Sequence, residues 1–131
     1  MTLTWTRAAL AASIGLMASI GIAYADIKDF EFQLVDKQVR KGDGVVAVRL
    51  LDKRTGKAVP DAVIFAKRID MAPENMPTMT APLEPSPSTE AGVYRFKTNL
   101  AMEGRWQLSL GAKVQGETGT VESKLVIQAT P

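Results

Sequence analysis

Three observations predict an all-β sandwich for most of this chain. Apolar and polar residues alternate with a two-residue period in six segments between Phe30 and Ile127. Gly and Asp punctuate those segments at Gly42-Asp43-Gly44, Thr55-Gly56, Gly92, Gly104 and Gly116 to Gly119. No window shows a comparable 3.6-residue pattern. A two-residue period puts one face of a strand in a core and the other in water. Gly and Asp between such runs supply turns.

The elements follow in order. Residues 1–25 read as a secretory signal peptide. Met1–Arg7 carries one basic residue and no acid, Ala8–Ala23 is uncharged, and Ala23-Tyr24-Ala25 offers the small residues a signal peptidase reads. Cleavage after Ala25 leaves residues 26–131 as one domain, with the periplasm as its expected location. The alternative is an uncleaved N-terminal membrane anchor, because an apolar run of about 16–18 residues is at or just below the length of a span. In the first strand Phe30, Phe32 and Leu34 alternate with Glu31 and Gln33. In the second, Val46, Val48 and Leu50 alternate with Ala47 and Arg49. The third interleaves Val63, Phe65 and Lys67 with Ile64, Ala66 and Arg68, so its start is expected to be buried on both faces. Tyr94 and Phe96, then Trp106, Leu108 and Leu110, then Val121, Leu125 and Ile127 complete the series. A short strand near Thr78–Leu83 brings the count to about seven, the number expected of an immunoglobulin-like sandwich.

Composition removes most chemistry. The 131 residues amount to about one domain. A formal net charge of +2 gives no electrostatic footprint for nucleic acid. With no Cys there is no disulfide, thiolate nucleophile or iron–sulfur ligation. With no His there is no Ser-His-Asp triad and no ordinary catalytic zinc site. No pocket-forming insertion, nucleophile with a base, or cofactor motif is visible. Neither an enzyme nor a small-molecule substrate is expected.

One segment breaks the strand rhythm. Asp70 to Gly92 holds Pro73, Pro77, Pro82, Pro85 and Pro87, together with Met71, Met76 and Met79. Proline at this density excludes regular central strands. The remaining Met beyond the signal peptide is Met102. If successive strands alternate in direction, the loop after the third strand and the Leu100–Gly104 loop emerge at one end of the sandwich, bringing all four Met together. Thioether sulfur is soft and selects Cu(I) and similar ions. In a polyproline II stretch Met76 and Met79 would share a face about 9 Å apart, so the stretch must turn, or another Met must join, to chelate one ion. Trp106 begins the next strand, where its ring could make a cation–π contact. Two other readings stand beside a metal site. Met is a flexible filler that can plug a sandwich end, and Met-rich surfaces suit adaptable protein contacts.

The runs GDGVVAVRLLDKRTGKAVPDAVI, DMAPENMPTM and GVYRFKTNLAMEGRWQLSL resemble the FixH-like/YtkA-like family over about Phe30 to Ile127. The resemblance implies a small exported sandwich associated with copper handling, cytochrome oxidase assembly or RND-type heavy-metal efflux. It implies Cu(I) or Ag(I) as the ion and Met71, Met76, Met79 and Met102 as its ligands, with an efflux or oxidase-assembly component at the membrane as partner. Related metal-handling domains often place a His among the Met, and this chain has none. The alternative is a metal-free interaction module that docks on a membrane complex through its Pro/Met loop.

Other constellations are structural. Asp36, Asp43, Asp52, Asp61 and Asp70 sit at strand ends, but no calcium-loop spacing occurs and Asp beside Gly is turn chemistry. Asp70, Glu74 and Glu103 are placed to flank the Met end, where solvated rim charges are the simpler reading and raising local cation concentration the alternative. Lys37, Arg40 and Lys41 read as a solvated hairpin. Tyr94, two residues after Gly92, fits a tyrosine corner whose hydroxyl bonds loop backbone. Trp106 has the inward parity of Leu108 and Leu110 and is expected in the core.

Overall fold

Two sheets stack face to face, and the strand pattern assigns their inner faces. The structure is a computed structural model and describes residues 26–131. The predicted signal peptide, 1–25, lies outside the described residues. Ten strands form two sheets among the described residues. The first sheet has the order β1 (Phe30–Leu34), β3 (Gly42–Asp52), β8 (Val93–Leu100), β7 (Glu84–Ser86), with β4 (Lys57–Ala58) also on β3. The second runs β2 (Gln38–Arg40), β10 (Val121–Thr130), β9 (Gly104–Lys113), β5 (Val63–Met71), β6 (Met76–Ala81). The seven expected strands are present as the longer ones. The additions β2, β4 and β7 are two or three residues long, too short to show a period.

The inward residues fill one core. Phe32, Val48, Leu50, Phe96 and Leu100 come from the first sheet; Ile69, Trp106, Leu108 and Ile127 come from the second. The edges are joined by a change of sheet. The chain leaves β1 and re-enters as β2, which pairs parallel to the end of β10 (Gln128↔Gln38, Thr130↔Arg40). The Pro-rich segment makes a second change. It adds β6 to one sheet and, beyond Pro82, β7 to the other. Both are edge strands, where a proline's missing N–H leaves no ladder bond unmade. Proline therefore confines this segment to the edges without excluding strand.

One expectation is corrected. Val63 and Phe65 are exposed, at 60% and 56%, and the start of β5 is not buried on both faces. The ladder with β9 shifts between Ile64 and Ala66, which leaves Phe65 as the extra residue of a bulge. Its ring lies on the outer face, 3.3 Å from where a Cβ at Gly111 would stand. Trp106 is fully buried, as its parity requires.

The end of the sandwich where β5 begins is fixed by Tyr94. Its hydroxyl donates to the Val59 carbonyl at 2.8 Å and accepts from the Ala62 N–H at 2.9 Å. Burial raises the phenol's pKa above its ordinary value, the Ala62 N–H works against that rise, and the Asp61 charge adds to it. Beside it Gly92 has φ +82°, and a Cβ there would stand 2.4 Å from the Ala58 Cβ. Only glycine fits that position.

Candidate functional site

The Met-bearing end is opposite the Tyr94 corner, where β5 finishes and β8 turns into β9. Met71, the last residue of β5, is 1% exposed. A 3₁₀ turn, Ala72–Glu74, with Pro73 inside it and Asn75 in the left-handed region, returns the chain as β6. Met71 and Met76 become cross-strand partners. The next partners are Asp70 and Thr80, so Pro77, Thr78 and Met79 bow out of register. Residues three apart on a regular strand face opposite sides. Here the irregularity lets both Met76 and Met79 pack against the core while Pro77 and Thr78 stay exposed.

The β8–β9 loop closes on the same turn. A Cβ built at Gly104 would stand 2.9 Å from the Met71 methyl and 3.0 Å from Glu74 Oε2, so this glycine lets the loop approach. The Trp106 indole N–H donates to the Met102 carbonyl at 3.0 Å, fixing the loop backbone from inside the core. Met102 itself is 38% exposed. Topology thus brings the loops carrying the four Met to one end. Met71 is sealed in the core, Met76 and Met79 are half-buried, and Met102 is outermost.

Charged groups clamp this end. Glu74 Oε2 accepts from the Arg105 backbone N–H at 2.9 Å, and the Arg105 guanidinium donates to the Pro73 carbonyl at 2.9 Å. The Arg105 backbone bond, then its side chain, hold the Glu74 carboxyl below the usual range. Asp70 is buried and both oxygens are engaged: Oδ1 accepts from the Ala72 N–H at 2.9 Å and Oδ2 from Arg68 Nε at 2.8 Å. Arg68 also donates to the Pro77 carbonyl at 2.7 Å, tying β5 to the bowed part of β6. Glu103 is exposed and lies 3.8 Å from Lys41. Asp70 therefore serves the turn, and Glu103 is a solvated rim charge.

Beside these carboxylates the end carries the four thioethers of Met71, Met76, Met79 and Met102. Among the described residues no group of three or more His, Cys, Asp or Glu is placed to hold a metal ion. Thioether sulfur is a donor that selects soft ions. The Glu74–Arg105 clamp escaped sequence reading because its partners are distant in the chain and meet only through the β5–β9 register. Glu74 carried a weak signal as an acid beside the Met run.

Fold and site define a small β-sandwich with one thioether-rich end. Residues 24–111 match the YtkA-like family profile, and the chain belongs to the YtkA-like family. The matched stretch takes in the Met-bearing turn and the β8–β9 loop. No curated protein matches the chain. Among solved structures it is similar to the crystal structure of the Lin-41 filamin domain. That match has 18% identity and a TM-score of 0.46, and covers 82% of this chain and 95% of that one. It is also similar to the ZirS C-terminal domain, with 10% identity and a TM-score of 0.44, covering 100% of this chain and 86% of that one.

Proposed function

We propose that this YtkA-like domain is a periplasmic accessory protein in soft-metal handling. It holds Cu(I) or Ag(I) through thioethers of Met71, Met76, Met79 and Met102 and passes the ion to an RND-type efflux or oxidase-assembly component in the membrane. The observation that carries the reading is the gathering of these Met at one end. Met71 and Met76 are cross-strand partners, and the Met102 loop closes over Met71 at Gly104. Thioether sulfur does not titrate, so such a site keeps its donors in acid. Met102 and the half-buried Met76 and Met79 meet solvent first, with Met71 behind them.

The burial of Met71 favours a second reading. In it Met71, Met76 and Met79 plug the end of the core, and the domain is a metal-free module that docks through the Pro/Met segment. Cu(I) competition against a chromogenic chelator separates the two. The comparison is between the wild type and a Met71/Met76/Met79/Met102→Leu variant, whose near-isosteric changes cost less than about 1.5 kcal/mol each. Binding tighter than micromolar in the wild type, lost in the variant, is the expected result. Absence of binding, or equal binding by both proteins, leaves the plug reading.

A further inference from the structure

The first half of β5 is an open sheet edge beside a cleft. On one side β5 pairs with β9 from Val63 to Asp70; on the other, β6 covers only Ile69 to Met71. Val63–Lys67 therefore have a strand on one side only, and among the described residues no loop backbone bonds to their backbone; at Arg68 the guanidinium reaches the Pro77 carbonyl of β6. Across the gap stands β7, whose Pro85 cannot donate a ladder bond. A cleft of about 310 Å³ lies between β5 and the β7–β8 pair. Ile64, Val93 and Phe96 line it, and so do Lys67 and Arg95. No ion pair occupies either cation among the described residues. Val63 and Phe65 add exposed apolar surface to the same strand.

Lys67 decides what the edge accepts. It pairs with Leu110, a core residue, so its parity is inward, yet it is exposed at the cleft. A lysine with inward parity on an edge strand, together with a bulge, repels indiscriminate strand pairing. A second copy paired through this edge would bring its own Lys67 up to this one, and Val63–Arg68 contain no carboxylate to offset it. A strand bearing carboxylates meets the opposite situation: each charge faces an unpaired cation. We infer that the open β5 edge takes an extended acidic segment of a partner protein as an added strand, with carboxylates on Lys67 and Arg95 and apolar residues on Val63 and Phe65. This surface is separate from the Met end and does not depend on metal binding.

The test uses two fluorescein-labelled octapeptides, one alternating Val and Glu and one alternating Val and Lys, titrated against the purified protein by anisotropy. The Val-Glu peptide binds in the micromolar range, weakens with salt, and loses at least tenfold in a Lys67→Glu/Arg95→Glu variant that now prefers the Val-Lys peptide. A Lys67→Gln variant, which changes one exposed side chain, loses several-fold and decides the matter if the double variant does not fold. Three outcomes overturn the inference: no Val-Glu binding, equal binding of both peptides by the wild type, or affinity unchanged in the folded variants. Sedimentation showing a dimer through this edge, or binding to phosphatidylglycerol vesicles that the variants abolish in place of peptide binding, also overturns it.

Discussion

The two ends of this sandwich solve one problem with different chemistry. Each must hold a loop between sheets against the loss of chain entropy. At the β5 start, one neutral, half-buried hydroxyl of Tyr94 bridges Val59 and Ala62. There a glycine sits against the Ala58 side chain and the Val59 backbone. At the Met end the clamp is ionic and exposed (Glu74 with Arg105), and Gly104 faces the movable tips of Met71 and Glu74. Neutral, half-buried bonds with fixed neighbours tolerate little change. Charged bonds nearer solvent, beside the half-buried Met76 and Met79 and the exposed Met102, leave more room for adjustment, which suits the end where we propose binding.

The glycines break this contrast most directly. In Gly92→Ala the new Cβ meets the Ala58 Cβ and adopts a left-handed φ, so we expect a loss of about 3 kcal/mol, or roughly 15 °C in Tm. Gly104→Ala also has a positive φ, but its contacts are side-chain tips, so about half that loss is expected. Equal losses in thermal melts would erase the distinction between the ends. Tyr94→Phe comes next. It leaves the Val59 carbonyl and the Ala62 N–H without their partner, at a cost of about 2 kcal/mol in urea unfolding at neutral pH. Because the phenol's pKa is raised in the fold, its contribution is full below the ordinary phenol range and is lost as pH rises through the folded value. The Phe variant lacks that alkaline decline.

Glu74→Gln is the smallest change and sharpens the ionic side. A carboxyl whose pKa is lowered stabilises the fold above its ordinary range, and that stability disappears as pH falls through the folded value. We expect a lower unfolding midpoint at neutral pH, by less than in Tyr94→Phe, and no difference from wild type in strong acid. The Arg105 amide, which donates to Glu74, should exchange faster with deuterium. Some acid dependence persists in this variant, because Asp52 is held below its usual range chiefly by its side-chain bond to Arg54.

Much of the scaffold was legible in the sequence because alternation reports burial directly. Phe32, Val48, Leu108 and Ile127 declare their inward faces, and each is buried. Tyr94 was legible because a corner tyrosine has a local cue, the preceding glycine. Phe65 was not. A bulge changes parity without altering composition, so Val63-Ile64-Phe65 reads as apolar on both faces when its outer face lies open. The gathering of the Met loops followed from strand direction, and a core place for Met71 from its position directly after the third strand, while the closeness of the two loops did not. Burial there depends on Gly104 and on the turn at Asn75, which set how closely two distant loops approach. The Glu74–Arg105 clamp depends on the same long-range register.

The parallel pairing of β2 with β10 has a consequence for the timing of folding. Gln38–Arg40 precede their only ladder partner among the described residues, Gln128–Thr130, by 90 positions. The Lys41 N–H likewise waits for the Thr130 carbonyl. The second sheet cannot close until nearly all of the sequence shown is available, and non-local pairing of this kind folds slowly. A domain built this way keeps the edge of its second sheet unpaired until the last strand, β10, has been added.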